Sequence, residues 1–345
     1  MTNLKFFDST LRDGSHAIKQ QLKHEHIEKY CNAVSGAGFY TTVVGHGYGL
    51  GASTIQCGQC LLSDEEMLET ARKNLLDGRV GAFMNPGYGT IEDDLIPAIE
   101  AGAELFCIAS HVTEANITRQ HIEFLADKKQ DVYGVLTMFH TTPTANLITE
   151  CKKMQEYGAN GVILMDSAGA ATLEMTKRTI SELRNALNIE IGFHAHNNLG
   201  MAVGNTLEMI ANGATIIDGC LRGFGAGAGN LQLESLIAIL EKSGVETGVN
   251  LMQILRASFE IMPEIQEKEV GIDPISVYMG IQGVLSAYKL LILRLCDRLN
   301  IDAFELIREV GQKNLVACQE DVVIEVANRL KNKRTSSIAD RELSL

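Results

Sequence analysis

Asp13, His194 and His196 have the chemistry of a ligand set for one divalent cation. Asp13 stands in the run Asp8-Ser9-Thr10-Leu11-Arg12-Asp13-Gly14-Ser15-His16, and the imidazoles in His194-Ala195-His196-Asn197-Asn198. Each run follows an apolar stretch that reads as a strand. The two histidines are two positions apart, so on a continuing strand both side chains share a face. Two imidazoles and a carboxylate occupy one side of a metal and leave room for substrate and water. Ligation by nitrogen and oxygen without thiolate suits Mn2+, Co2+, Mg2+ or Zn2+, and the affinity order does not choose among them. The competing reading is a buried, hydrogen-bonded histidine pair with no metal. Arg12 presents a permanently charged planar fork that fits a carboxylate or an enolate oxygen, or else a structural salt bridge. His16 titrates near neutral pH and is a candidate acid/base, or else a supporting hydrogen-bonding group.

Other runs carry weaker signals. Gly223-Phe224-Gly225-Ala226-Gly227-Ala228-Gly229-Asn230 lets backbone N–H groups approach a ligand, but no Lys-Ser/Thr pair follows as in a P-loop. Asn230 is placed to hold that loop or to support a metal ligand. His46-Gly47-Tyr48-Gly49 reads as a loop with His46 aimed inward. Cys57-Gly58-Gln59-Cys60 is a lone pair of thiols without the second pair a zinc site needs. Lysine is missing from the predicted strand ends, which weighs against a Schiff base and for metal-stabilised carbanion chemistry.

These residues need a scaffold that converges them. Strands are predicted over 4–8, 40–45, 79–84, 105–110, 132–139, 161–165, 190–193 and 215–218, with amphipathic helical stretches between most of them. Eight strands alternating with helices is the arithmetic of a (β/α)8 TIM barrel; an open doubly wound sheet is the alternative. Asp8, Asp13, His46, Asn85, His111, His140, Asp166, His194, His196 and Asp218 fall at or just after the predicted strand ends, where a barrel assembles chemistry. Strands one and seven would be separated only by strand eight, which lets Asp13 meet the histidines. From about 249 the pattern turns helical, over 250–260, 276–298, 302–311 and 318–332. The expected division is a catalytic barrel over 1–262, a small all-helical C-terminal domain over 263–332 and a mobile tail over 333–345.

The 345 residues suffice for one large domain or two ordinary ones, and a net charge of −13 disfavours nucleic acid and anionic membranes as partners. The longest apolar region, 278–296, contains Gln282, Lys289 and Arg294 and reads as a buried or interface helix, not a membrane span. No signal peptide is expected at Met1–Phe7, and eight scattered cysteines suit a reducing cytoplasm.

Thr10–His16, His194–Asn198, Asp166-Ser167-Ala168-Gly169 and Gly225–Asn230 together resemble the 4-hydroxy-2-oxovalerate aldolases. These belong to the metal-dependent barrel superfamily that includes HMG-CoA lyase and isopropylmalate synthase. The likeness spans nearly the whole chain, including Gln319-Glu320-Asp321. It implies a divalent-metal pyruvate aldolase of the kind used in aromatic hydrocarbon breakdown. A metal, Mn2+ in first place, would be held by Asp13, His194 and His196 and would chelate a 4-hydroxy-2-oxo acid. His16 would take the 4-hydroxyl proton, and C3–C4 cleavage would release an aldehyde. Arg12 and the metal would stabilise the pyruvate enolate. Ser167, with Arg12 and His194, would touch substrate. The resemblance also implies an acylating aldehyde dehydrogenase as partner and a homo-oligomer assembled through the C-terminal helices. Two positions depart from the pattern. Leu285 stands where the family has a catalytic tyrosine, with Tyr288 one helical turn later as a substitute or as packing. Tyr48 stands where the family has an acid. Acyl-CoA condensation or cleavage, 2-oxo-acid decarboxylation and a divergent biosynthetic carboligation remain the alternative reactions.

Overall fold

The computed structural model describes residues 4–266, 268–317 and 319–342. Eight parallel strands close into a barrel in sequence order: β1 (Lys5–Leu11), β2 (Thr41–Val44), β3 (Val80–Met84), β4 (Leu105–His111), β5 (Asp131–Thr137), β6 (Gly161–Asp166), β7 (Glu190–Ala195) and β8 (Ile216–Gly219). The expected barrel, and not the open sheet, is therefore the fold. Ile216 of β8 pairs with both Lys5 of β1 and Gly192 of β7, so the strands carrying Asp13 and the histidines flank one strand.

Around the barrel lie α1 (His24–Val34), α2 (Asp64–Asn74), α3 (Ile96–Glu100), α4 (Arg119–Asp127), α5 (Thr144–Glu156), α6 (Leu173–Ala186), α7 (Ala202–Ala211) and α8 (Leu233–Lys242). Strand side chains alternate between two cores. Phe7, Val43, Phe83, Cys107, Tyr133 and Ile163 fill the interior. Phe6, Val44, Ala82, Phe106, Val132 and Val162 pack outward in the cluster shared with the helices. Each fully buried Phe or Val contributes about 1.5–3 kcal/mol relative to exposure. Local signals set the helix starts: Ser63 and Glu66 form a capping box on α2, and the Thr172 side chain accepts from Met175 N at the start of α6.

β1 runs three residues past the expected end, with a register shift between Asp8 and Leu11. Asp8 is therefore within the strand and not at the rim. It is buried and accepts hydrogen bonds from Thr10 N, Thr10 Oγ1, the Tyr30 hydroxyl and Thr42 Oγ1. The extension brings Arg12 and Asp13 to the barrel mouth.

Beyond the barrel, α9 (Leu251–Glu260) and α10 (Met262–Ile265) place Ile254, Met262 and Ile265 in the barrel's outer cluster. The helix expected over 276–298 is broken into α11 (Pro274–Gln282) and α12 (Lys289–Leu299). Gly283 ends α11 in the left-handed region, φ +63°, which costs glycine nothing. With α13 (Ala303–Gly311) and α14 (Glu320–Glu342), these helices bury a separate cluster that includes Tyr288, Leu306, Val310 and Val326. Met138 and Ala168 join that cluster from the barrel rim, so the helical unit sits over the mouth. Residues 333–342, read from sequence as part of a tail, continue α14; 343–345 lie outside the described residues. Among the described residues no helix is long and apolar enough to cross a membrane.

Candidate metal and active site

Asp13 opens a single helical turn directly after β1, His194 lies in β7 and His196 follows it by one residue. One ligand atom from each lies within 4.8 Å of the others, and all three residues are buried. His194 Nε2 is 3.8 Å from Asp13 Oδ2, and His196 Nε2 is 3.9 Å from Asp13 Oδ1. Each ring has an oxygen beyond its far side. His196 Nδ1 is 3.1 Å from the Asp166 carbonyl oxygen. A carbonyl only accepts, so Nδ1 carries the proton and Nε2 keeps its lone pair toward Asp13. His194 Nδ1 is 3.0 Å from Asp218 Oδ2, an ion-pair distance without an aligned hydrogen bond. From the sequence Asp218 is only a rim acid. Its position beside His194 depends on the β7–β8 register, which pairs the two residues.

The donor set fits a divalent cation on a specific observation. Buried His194 Nε2 and Asn230 Oδ1 have no hydrogen-bond partner among the described residues. An orphaned buried acceptor costs about 1–3 kcal/mol, which a bound cation offsets. Asn230 bridges the loop and the acid. Its Nδ2 donates to Asp13 Oδ1 at 2.8 Å and to the Phe224 carbonyl oxygen at 3.2 Å, tying the carboxylate to the glycine-rich loop.

Arg12 Nη1 donates to Asp13 Oδ2 at 2.7 Å and to the Gly47 carbonyl oxygen at 3.3 Å, and the guanidinium lies 4.4 Å from the Phe83 ring centroid. Burial would raise the Asp13 pKa, but Arg12, then His196 and His194, outweigh it and hold the carboxyl well below the usual range. Burial lowers the His196 pKa to about 3, leaving a neutral ring fit to ligate.

A cavity of about 300 Å³ opens over this group. Arg12, Asp13, His16, Ser167 and His196 line it; His194 does not reach its surface. Ser167 Oγ accepts from Met138 N at 3.2 Å, and its carbonyl oxygen accepts from Ser286 N at 3.0 Å, so Ser167 joins the rim to the helical unit. Phe83, Asn85, Tyr88, His111, Glu114 and Leu285 also line the cavity. Sequence reasoning gave Tyr88 and Glu114 no part, because neither belongs to a motif.

His16 is half-buried, and burial lowers its pKa more than Asp13 raises it. Its ring meets Tyr48 edge-on, with centroids 4.6 Å apart. Gly47 leaves the space that ring needs: a Cβ there would stand 2.4 Å from His16 Nε2. Gly47 does not hold a left-handed backbone conformation, so alanine would strain only the contact. Gly47→Ala is expected to lower kcat by about tenfold or more through a misplaced ring, with metal content unchanged by elemental analysis.

Three further residues lie away from the ligands. His46 does not aim into the cavity; its Nε2 lies 3.0 Å from the Gly58 carbonyl oxygen and its Nδ1 accepts from Tyr48 N at 3.0 Å. Burial lowers its pKa to about 4, as suits a neutral structural ring. His140 also faces away, 3.6 Å from Asp166 Oδ1 and under Gly283 of the helical unit. Tyr288 is buried with its hydroxyl committed: it donates to the Val316 carbonyl oxygen and accepts from Gln319 N at 3.0 Å. It borders a second cavity, whereas Leu285 lines the first. Tyr288→Phe is expected to lower unfolding free energy by about 1–3 kcal/mol while kcat stays within about threefold; a denaturation curve beside an activity assay checks it. Cys57 and Cys60 are free thiols, as are Cys31, Cys107, Cys151, Cys220 and Cys296 among the described residues.

Comparison with known proteins fits this arrangement. The family model described as HMGL-like matches residues 3–261, and that described as DmpG-like communication domain matches residues 270–332. A 4-hydroxy-2-oxovalerate aldolase of Pectobacterium atrosepticum is 43% identical over 331 residues, 96% of each chain. One from Spirochaeta aurantia is 43% identical over 328 residues, 94% of this chain and 96% of that one. Among solved structures, the carboxyl transferase domain of Rhizobium etli pyruvate carboxylase with pyruvate and biocytin superposes with a TM-score of 0.82 at 14% identity. That match covers 96% of this chain and 61% of the other, and at such identity it speaks for the fold alone.

Proposed function

The chain belongs to the HMGL-like family and, within it, to the 4-hydroxy-2-oxovalerate aldolases, and from that premise we propose how its residues divide the cleavage of a 4-hydroxy-2-oxo acid into pyruvate and an aldehyde. The observation that carries the reading is the convergence of Asp13, His194 and His196 within 4.8 Å, beside Arg12 and His16 on one cavity. Asp13, His194 and His196 hold a divalent cation, Mn2+ in first place. When bound, that cation supplies Lewis-acid polarisation of the 2-oxo group.

Arg12 holds its guanidinium at the same cavity, fixed by Asp13, Gly47 O and the Phe83 face, and donates to the enolate oxygen that develops as C3–C4 breaks. Such a preorganised donor is worth about 3–4 kcal/mol of barrier. Ser167 borders the pyruvyl half. His16, neutral at pH 7, accepts the 4-hydroxyl proton, and the electron pair of the broken C3–C4 bond passes into the enolate. The aldehyde leaves past Tyr88, His111 and Glu114, which line the same cavity. Protonation of the enolate carbon then gives pyruvate.

The division into a catalytic barrel over 1–262 and a helical unit over 263–332 belongs to the same reading, supported by the separate apolar cluster of α11–α14. The match of residues 270–332 to a communication domain supports an aldehyde dehydrogenase as partner for that unit. Free thiols throughout the described residues support a reducing compartment. The test is incubation with pyruvate, Mn2+ and a panel of aldehydes, read by mass spectrometry, beside a coupled pyruvate assay of cleavage. Condensed 4-hydroxy-2-oxo acids that vanish on chelation support the reading. A free-thiol signal from acetyl-CoA with no condensed product rejects it.

A further inference from the structure

Gln20 holds a left-handed backbone conformation, φ +67°, next to Lys19 at φ +56°. For long side chains such positions cost on the order of 1–3 kcal/mol each and persist only where the surroundings enforce them. The surroundings here are firm. Gln20 N donates to the Ser15 carbonyl oxygen at 2.7 Å, and Ser15 Oγ donates to the Gly45 carbonyl oxygen at 3.1 Å. The strained turn carries the Gln20 side chain back over its own loop, 4% exposed, onto His16.

The two ends of that amide are not interchangeable. Gln20 Oε1 accepts from Gly47 N at 2.9 Å, and a backbone N–H can only donate. The NH2 end therefore faces His16 Nδ1, at 3.2 Å. An amide NH2 accepts nothing, so Nδ1 is the acceptor and the neutral ring carries its proton on Nε2. Nε2 is the nitrogen that crowds Gly47.

We propose that Gln20 is a positioning residue that fixes His16 as the Nε2–H tautomer in the resting enzyme, and that the amide must let go of Nδ1 before that nitrogen takes a proton. This rests on His16 being the base of the cleavage reaction. The amide donor opposes a proton on Nδ1, so it disfavours both the other neutral tautomer and the imidazolium. Conversion moves one proton off Nε2 and one onto Nδ1, with no net change in charge. His16 and Gln20 both border the second cavity. Other groups act on the ring as well: Arg12 and Asp13 from its own loop, His46 and Tyr48 from the loop after β2, and His196 after β7. All of these stay constant when only residue 20 is changed.

Gln20→Glu and Gln20→Leu separate the proposal from simple packing. A carboxylate can only accept, so Glu at 20 bonds both Gly47 N and His16 only if Nδ1 carries the proton. Imidazole 15N spectra of metal-free protein are expected to show Nε2–H for His16 in the wild type, Nδ1–H in Gln20→Glu and a mixture in Gln20→Leu. In the Mn2+-loaded enzyme, the acid limb of kcat/KM is expected to move up by about one pH unit in Gln20→Glu and by clearly less in Gln20→Leu, which removes the opposing donor without adding a charge. An Nδ1–H ring in the wild type overturns the proposal, whatever the variants do. So does Gln20→Glu with an unchanged tautomer and limb, or Gln20→Leu reproducing Gln20→Glu. His16→Asn distinguishes the underlying reading. If the acid limb survives that change, His16 is not the base, while the 15N spectra still decide what Gln20 does.

Discussion

Asp13→Ala is expected to abolish pyruvate release and bound metal together, lowering cleavage by at least about 10³-fold, or more than about 4 kcal/mol of barrier. This carboxylate is the partner of Arg12 at 2.7 Å and the acceptor from Asn230 at 2.8 Å, and it is the proposed acidic ligand of the cation. Truncation leaves the buried guanidinium unpaired, which costs about 3–5 kcal/mol of stability in comparable pairs. Asp13→Asn keeps the shape and one acceptor, so it separates misfolding from lost ligation. A folded Asp13→Asn protein, checked by circular dichroism, should hold no metal after dialysis and release no pyruvate. Normal turnover by either variant in chelator-treated buffer would sink the site.

His16→Asn should lower kcat by about 10²–10⁴-fold while leaving metal stoichiometry at the wild-type value. The sign of the pH effect follows from burial. His16 is depressed below its ordinary value of 6.5, chiefly by burial and against the pull of Asp13. Its basic form is present above that lowered pKa, so cleavage by the native enzyme should hold through pH 6.5 and fall only at more acid pH. In His16→Asn that limb should disappear, leaving only the slower residual rate. An unchanged profile would take the base role away from His16, and loss of metal would recast it as part of the ligand shell.

The barrel was legible because its signals are local and repeated. Apolar runs such as Val132–Leu136 and Gly161–Met165 alternate with amphipathic helices, and each pair sits within a short stretch of chain. The break at Gly283 was not legible, because one glycine inside an apolar helical pattern is tolerated as often as it ends a helix. The orientation of His46 was missed for a related reason. Its place at a strand end was readable, but both its ring contacts depend on the path of the following loop, to Gly58 and Tyr48. Tyr288 was held between two roles because helical spacing sets a face, while the partners of its hydroxyl come from residues 316–319 across the unit.

The sequence by itself determined the donor types and the strand ends that carry them: an acid after β1, two imidazoles on one face of β7 and an arginine beside the acid. Those facts are set by residue identity and by the two-residue period of a strand. Tertiary structure alone decided the protonation geometry around them. Asp218 beside His194, the Asp166 carbonyl on His196 and the Gln20 amide on His16 are contacts whose partners are fixed by strand register and loop closure. A hydrogen bond depends on tenths of an ångström and on the direction of a lone pair, and a linear order of residues encodes neither until the barrel has closed.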